Sequence, residues 1–275
     1  MKRFYLLSML MLCSIALFAG GSKEASNISV ITREDGSGTR GAFTELVGLI
    51  DSSKIDQTTP YAEVANSTSV VITTVNGNRN SIGYISLGSL NDSVKAVKID
   101  GIDASQANIE NGSYKLQRPF NIAFRELSPI AEDFLSFVFS SQGQSIVAKS
   151  GYIAVAEGER YVSGSISGKL TISGSSSVYP LMEKLIEAYK SMNPLSDVTL
   201  QQSDSSTGIK DVINGISDIG MASRDLKQSE LDSGIASKPI AIDGIAVIVN
   251  KDNSISDLSI DQLREIYLGQ KTTWN

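Results

Sequence analysis

A glycine-rich loop between a strand and a helix is predicted by the stretch Thr32-Arg33-Glu34-Asp35-Gly36-Ser37-Gly38-Thr39-Arg40-Gly41-Ala42-Phe43. Residues 28–31 before it alternate like a short strand, and the apolar residues from Phe43 to Ile50 follow helical spacing. The loop therefore opens at a helix N-terminus, where unpaired N–H groups and the helix dipole favour an oxyanion. Hydroxyl and guanidinium donors within the loop strengthen that interpretation. A capped glycine turn without a ligand explains this single stretch equally well.

The composition is that of an ordinary globular protein with a moderate negative charge. The chain has 275 residues, of which 41% are apolar and 20% are charged, and this suffices for one large or two medium domains. Its net charge is −6, its isoelectric point is about 4.9, and the sequence contains no basic run. Nucleic acid is therefore not expected as a partner, although helix dipoles and a few arginines can still bind an anion.

The missing residue types exclude several kinds of active site. The sequence has no histidine, which removes histidine triads, histidine bases and most zinc sites. Cys13 is the only cysteine, so the chain cannot form an internal disulfide or a thiolate cluster. The sequence contains no carboxylate cluster of the metal-binding kind. We therefore expect no catalytic residue, no metal and no cofactor.

Residues 1–21 have the order of a secretory signal peptide. Lys2-Arg3 precedes the apolar run 4–18, and small residues follow at 19–21. The run is short for a membrane span, so export to the periplasm or to the outer face of the cytoplasmic membrane is predicted. Cys13 lies inside the apolar run, and Gly21 stands where a lipoprotein signal needs its cysteine. The sequence therefore argues against a lipid anchor.

Two further segments repeat the pattern of strand, polar loop and helix. The predicted strand 169–172 runs into the serine-rich loop 173–178, and Pro180 suits the first turn of the following helix. The predicted strand 198–200 runs into the loop 201–208, which opens a helix that ends by Gly215. Three such units favour one shared anion site over three unrelated turns.

The remaining elements are predicted from periodicity and capping signals. Further strands are predicted at 82–87, 94–99, 118–124, 151–155, 218–223 and 240–249, whereas residues 51–68 are predicted to be a loop and 70–75 are too short to assign. One helix is predicted to begin at Ser128-Pro129 and to bury Ile130, Phe134, Phe137, Val138 and Ser141. A last helix is predicted from the capping box of Ser259 and Gln262 and from Leu258, Leu263, Ile266 and Tyr267.

Strands that alternate with helices favour an α/β architecture in which helices cover mostly parallel sheets. In such sheets a ligand lies beyond the carboxyl ends of the strands, towards which helix N-termini point. The three polar loops all follow predicted strands, so we expect them to face one ligand.

Several stretches together resemble the phosphate-binding proteins of bacterial phosphate ABC importers. They are TREDGSGTRGAF, IGYISLGSL, SGSSSVYPLMEKL, QQSDSSTGIKDVI, DIGMASRDL and AIDGIAVIVN. The resemblance covers nearly everything after the signal peptide. It implies the two-lobed periplasmic binding protein fold of type II, with inorganic phosphate held between the lobes and delivered to a membrane permease, and we expect a monomer.

The order of the segments departs from the usual family order. There, the segment that resembles 169–275 comes first and the segment that resembles 28–155 follows, so this chain resembles a circular permutant. Residues 156–168 are then the connector between the exchanged halves. The resemblance implies one lobe from 27–95 plus 246–275 and the other from 115–243.

The resemblance also implies which residues bind the anion. The first loop contributes Ser176, Ser177 and Val178, the second contributes Ser205, and the third contributes Arg33, Ser37, Gly38 and Thr39. Asp35 is expected to hold Arg33 in place. Arg224 stands where the family often has an aspartate that accepts a phosphate proton, which suggests a second arginine near the anion; a surface ion pair with Asp225 or Asp218 is the alternative.

Two other functions stay open from the sequence. A site for another oxyanion, such as sulfate or molybdate, would use the same donors. A phosphate-ester hydrolase or a P-loop protein is the enzyme alternative, but the pattern G-x-x-x-x-G-K-[ST] is absent, including around Gly208-Ile209-Lys210. Because Arg224 cannot accept a proton, Asp35 is the expected acceptor that separates phosphate from sulfate. Asp204 and a backbone carbonyl are the reserves.

Overall fold

The structure is a computed structural model that describes residues 27–274. The predicted signal peptide, residues 1–21, and Cys13 lie outside the described residues. Within 27–274, none of the helices is both long enough and apolar enough to cross a membrane.

Strands and helices alternate along the described chain. The strands are β1 (Ser29–Arg33), β2 (Glu63–Ala65), β3 (Ser81–Ser86), β4 (Val94–Ala96), β5 (Lys98–Ile99), β6 (Gln117–Phe124), β7 (Gly168–Ser175), β8 (Ser196–Ser203), β9 (Ile219–Ala222), β10 (Ala236–Asn250) and β11 (Asp257–Leu258). The α-helices are α1 (Gly38–Val47), α2 (Thr68–Gly77), α3 (Gln106–Glu110), α4 (Pro129–Val138), α5 (Ser141–Lys149), α6 (Tyr179–Met192), α7 (Ser205–Ile213), α8 (Gln228–Leu231) and α9 (Ile260–Tyr267). The predicted α/β class is confirmed.

One long strand, β10, connects the two parts of the main sheet, whose order is β2-β1-β3-β10-β6-β9-β7-β8. Residues 236–244 of β10 pair antiparallel with β6, whereas residues 245–249 pair antiparallel with β3. The pairs β1–β3, β1–β2, β7–β8 and β7–β9 are all parallel. The carboxyl ends of β1 and β7 are therefore where ligand-binding loops are expected.

Within the described residues, the two largest of four clusters of buried residues lie in two different lobes. One core is built by α1, α9, β3 and the second part of β10, with Phe43, Tyr84 and Tyr267 in ring contact. The other is built by α4, α6, β7 and the first part of β10. We call these the first and the second lobe. The exact boundaries predicted above, and the exchange of the two halves, stay predictions.

The predicted connector is fastened to the second lobe. Residues 156–167 contain no helix or strand. Tyr161 is nevertheless buried in the core of the second lobe, and its hydroxyl donates to Asp133 Oδ2 at 2.6 Å. A second hydroxyl, that of Tyr189 on α6, donates to the same carboxylate oxygen at 2.7 Å.

The capping signals predicted the helix starts correctly. Ser128 caps α4 with Pro129 in its first turn, Pro180 lies in the first turn of α6, and the capping box of Ser259 and Gln262 opens α9. The caps of Ser128 and Ser259 connect residues three positions apart, and the proline of α6 acts through its own backbone angle, so these signals are local in the chain.

Two predicted strands are wrong in whole or in part. Residues 151–155 make only one isolated bridge, from Ile153 to Ile242 of β10, and therefore form no strand. The predicted strand 94–99 is divided into β4, which pairs with β10, and β5, which pairs with β11. The predicted loop 51–68 also contains β2.

Helix assignments needed three corrections. The unassigned stretch 70–75 lies in α2, whose start is capped by the Ser67 hydroxyl through the Val70 N–H. Ser141 is exposed rather than buried, because α4 ends at Val138 and Ser140 caps the new helix α5. Leu258 is buried in β11 and precedes α9 instead of lying on it.

Candidate functional site

The starts of four helices meet between the two lobes. The first lobe contributes the starts of α1 and α2, and the second contributes those of α6 and α7. Across the interface, Thr39 Oγ1 lies 2.8 Å from Ser177 Oγ, and Arg33 Nη2 donates to Ser176 Oγ at 3.1 Å. The Ser206 N–H also donates to the Gly36 carbonyl oxygen at 3.1 Å. The three loops predicted from the sequence are thus next to one another.

Seven buried hydroxyl groups fill the space between these helix starts. This hydroxyl cluster consists of Thr39, Thr68, Ser175, Ser176, Ser177, Ser205 and Ser223. Thr68 Oγ1 lies 3.1 Å from Ser177 Oγ, and Ser175 Oγ donates to Ser223 Oγ at 3.0 Å. A hydroxyl can donate in any direction its rotor allows, so such a cluster can turn its hydrogens towards the oxygens of a bound anion.

Arg33 is the cation at the hydroxyl cluster. Its side chain is 2% exposed, and Nε also donates to the Ala65 carbonyl oxygen at 3.2 Å. Both oxygens of Glu34 accept from this guanidinium, Oε2 from Nε at 2.7 Å and Oε1 from Nη2 at 2.6 Å. A bidentate pair of this kind fixes the plane of the guanidinium, so Arg33 is held in one orientation.

The prediction that Asp35 holds Arg33 in place is wrong. The Asp35 side chain is 95% exposed and pairs with Arg40 Nη1 at 2.6 Å. Glu34, one residue earlier, occupies the position expected of Asp35. The path of the backbone after β1 decides which of two adjacent carboxylates turns inward, and neither composition nor spacing contains that information.

Arg224 lies beside the hydroxyl cluster and forms a salt bridge with Glu230, a partner that the sequence analysis did not predict. Its two terminal nitrogens donate to the two oxygens of Glu230 at 2.8 Å each, and Nη2 also donates to Ser206 Oγ at 3.2 Å. Burial alone would raise the pKa of Glu230. Its hydrogen bonds and the charge of Arg224 together outweigh burial, so the pKa of Glu230 is lowered. The alternative prediction, a surface ion pair of Arg224 with Asp225 or Asp218, is wrong because Glu230 is the acid that pairs with Arg224. A role of Arg224 in binding an anion stays a prediction.

The other predicted residues shape the loops and the approach of the lobes in this structure. Ser37 caps α1 by accepting from the Arg40 N–H at 3.3 Å. Gly38 brings α1 so close to the second lobe that a Cβ there would lie 2.5 Å from Ser205 Oγ. Val178 is fully buried, and its N–H donates to the Ser175 carbonyl oxygen at 3.1 Å.

The sequence prediction did not include Thr68, Ser175, Ser223 and Glu34 in the site. A local signal existed for Thr68, since Ser67 precedes apolar Val70 and Val71 as a helix cap does. For Ser223 the signal was its position directly after a predicted strand that ends beside the other loops. Throughout 27–274, the acids and the other metal-binding residue types do not gather into a group that could hold a metal ion.

A buried ion pair lies where the lobes join. Asp243 Oδ2 is 3.2 Å from Arg118 Nη2, and Ser86 Oγ donates to Asp243 Oδ1 at 2.9 Å. Burial raises the pKa of Asp243 to about 6, although Arg118, Ser86 and the Gly88 N–H all act to lower it. Burial disfavours the charged form of Arg118 as well, and for a base this lowers the pKa.

We expect Asp243 to make stability depend on pH. Its pKa in the folded protein lies above the value near 3.9 of an unfolded aspartate, so its stabilising contribution is complete below about pH 4 and is lost as the pH rises through about 6. The free energy of unfolding of the wild type should fall by up to about 3 kcal/mol relative to Asp243→Asn over that range. Urea denaturation of both proteins without phosphate measures this. Parallel pH curves would contradict it.

Comparisons with known proteins agree with this fold. A family profile described as "PBP superfamily domain" matches residues 15–142 and 160–275. A protein of Streptococcus agalactiae serotype V named phosphate-binding protein PstS 2 is 47% identical over 100% of this chain and 99% of its own length. A protein of the same name from Streptococcus pneumoniae serotype 4 is 46% identical over 100% of this chain and 98% of its own length.

The chain is also similar to a solved structure. The crystal structure of a phosphate-binding protein of a phosphate ABC transporter from Streptococcus pneumoniae is 48% identical, with a TM-score of 0.72. The match covers 90% of this chain and 98% of that chain. Fold and interlobe site together define a protein of the periplasmic-binding-protein class. The chain belongs to the PBP superfamily and, within it, to the family of these streptococcal PstS proteins.

Proposed function

We propose that this protein captures inorganic phosphate between its two lobes. The hydroxyl cluster with the buried Arg33 is the observation that carries the proposal, because it offers uncharged donors and one oriented cation to a small tetrahedral anion. The names of the streptococcal relatives support phosphate as the anion. The proposed phosphate-binding residues are those predicted from the sequence without Asp35, namely Ser176, Ser177, Val178, Ser205, Arg224, Arg33, Ser37, Gly38 and Thr39. We add Thr68, Ser175 and Ser223 to the proposal because their hydroxyls belong to the same buried cluster.

The captured phosphate is delivered to the membrane permease of an ABC importer. This part of the proposal is supported by the similarity to the binding protein of a phosphate ABC transporter and by the signal peptide predicted at residues 1–21. The protein acts outside the cytoplasm, either in the periplasm or at the outer face of the cytoplasmic membrane, and it acts as a monomer.

Titration calorimetry with phosphate, sulfate and molybdate tests the proposal. We expect phosphate to bind most tightly. Phosphate at a hundredfold excess over Kd should also raise the free energy of unfolding by about 2.7 kcal/mol, because only the folded state holds the site. Tighter binding of sulfate or molybdate would make this protein a carrier of that anion. No binding of any of the three would refute the proposal.

The proposed function predicts that this protein does not hydrolyse phosphate esters. The relatives are named as binding proteins, and the hydroxyls of the cluster hydrogen-bond to one another and to Arg33 rather than to a carboxylate or lysine that could deprotonate them. Incubation with p-nitrophenyl phosphate should release no nitrophenol above the rate in buffer. Release that is lost in Ser177→Ala would show catalysis instead.

Glu34 rather than Asp35 should control the selection of phosphate over sulfate. Glu34 Oε1 shares Arg33 Nη2 with Ser176 Oγ, so its charge lies close to the anion position. A protonated phosphate can donate to this carboxylate, whereas sulfate has no proton and is repelled. Glu34→Gln should narrow the ratio of phosphate to sulfate affinity. Asp35→Asn is the matched control and should leave the ratio unchanged; the opposite pattern would restore the role first predicted for Asp35.

A further inference from the structure

The ion pair of Arg118 and Asp243 connects the two strands that link the lobes. Arg118 on β6 and Asp243 on β10 face each other in the antiparallel register, and both side chains are buried. Asp243 also accepts from Ser86, at the end of β3 in the first lobe. The guanidinium is therefore held in place by a carboxylate that is itself anchored to the other lobe.

Arg118 also reaches the binding site, through the backbone. Its Nη1 donates to the Ser223 carbonyl oxygen at 3.0 Å. Ser223 directly follows β9, and its hydroxyl belongs to the hydroxyl cluster, 3.0 Å from Ser175 Oγ and 3.4 Å from Thr39 Oγ1. A hydrogen bond to this carbonyl fixes the peptide plane after Ser223. Because the side chain of Ser223 is attached to this backbone, the same hydrogen bond helps to fix the position of the Ser223 hydroxyl.

We propose that Arg118 is a positioning residue for anion binding, which holds Ser223 so that its hydroxyl donates to the bound anion. This inference rests on the proposed function. The planar guanidinium suits the task because one nitrogen bonds the carboxylate of Asp243 while another, at a fixed angle, bonds the carbonyl of Ser223. Lysine carries the same charge but lacks this rigid fork.

Direct attraction between Arg118 and the anion is the competing explanation. The carboxylate of Asp243 lies 3.2 Å from the guanidinium and offsets its charge. The bond from Arg118 goes to a backbone carbonyl and not to a hydroxyl of the cluster. Both observations favour positioning over attraction, and the two explanations differ in how Arg118 variants combine with a Ser223 variant.

A double-mutant cycle with inorganic phosphate as the probe tests the inference. Calorimetry should show that Arg118→Lys raises Kd by about fivefold to tenfold, as loss of one hydrogen bond in the site would. In the Ser223→Ala background the same substitution should cause no further rise, because the hydroxyl that it positions is gone. Arg125→Lys is the matched control. This exposed arginine directly after β6 donates to the Ser233 carbonyl oxygen at 2.9 Å, and its replacement should leave Kd unchanged.

The outcomes separate the explanations. Unchanged affinity in Arg118→Lys, or an equal loss with and without the Ser223 hydroxyl, would overturn the inference. If Arg118→Lys does not fold, Arg118→Met with Asp243→Asn keeps the net charge and leaves no buried charge unpaired; the same loss, again absent in Ser223→Ala, is expected. A wild type that binds no phosphate would refute the proposed function itself, which is distinct from variants that bind as the wild type does.

Discussion

Arg33→Ala is expected to weaken phosphate binding more than any other single substitution considered for this protein. Removing one member of a buried, hydrogen-bonded charge pair costs about 2–5 kcal/mol, which corresponds to roughly a 30-fold to several-thousandfold rise in Kd. Two effects contribute. The anion loses its oriented guanidinium, and the Glu34 carboxylate, previously bonded through both oxygens, becomes an unpaired negative charge beside it. Arg33→Lys should restore part of the affinity, because lysine returns the charge without the planar fork.

Titration calorimetry and a thermal melt check this expectation together. Arg79→Ala is a suitable control, since it removes the same charge from an exposed arginine that donates to the Asp252 carbonyl oxygen outside the cluster. The control should bind as the wild type does. If Arg33→Ala also kept its affinity while remaining folded, the cation of the site would have been assigned wrongly.

Gly38→Ala is expected to have the second largest effect, with little change in the stability of the unliganded protein. An added Cβ would lie 2.5 Å from Ser205 Oγ and 2.8 Å from Ser223 Oγ, both in the opposite lobe. The lobes must then move apart at the place where the anion is enclosed. Overpacking of this kind costs about 1–3 kcal/mol, or roughly a fivefold to 150-fold rise in Kd. The position itself tolerates alanine, because Gly38 is the first residue of α1.

Gly41→Ala is the matched control on the same helix. A Cβ at this position meets only Arg224 Cδ, at an ordinary contact distance of 3.6 Å. We expect unchanged phosphate affinity and a gain of about 0.5–1 kcal/mol in helix stability. Equal affinity losses in both variants would mean that α1, and not the approach of the lobes at Gly38, is sensitive to added volume.

The sequence predicted the binding loops better than it predicted the residues that complete them. Each loop was found from a strand, a glycine- or serine-rich turn and the start of a helix that follow one another directly in the chain, and all three loops lie at the candidate site. Thr68 was missed because the stretch after it was too short to assign by periodicity. Glu34 and Asp35 were confused because adjacent residues share every local signal and differ only in the direction of their side chains.

The sequence by itself therefore determined the local units of this protein: the strands that carry the loops, the helix caps and the class of fold. These depend on hydrogen bonds and apolar spacing among residues close in the chain. Only the tertiary structure decided which hydroxyls share one site, which acid holds Arg33 and which residues pair across β6 and β10. Thr39 and Ser177 are 138 positions apart, and Arg118 and Asp243 are 125 apart. Contacts over such separations depend on the packing and register of the whole sheet, which no short stretch of sequence encodes.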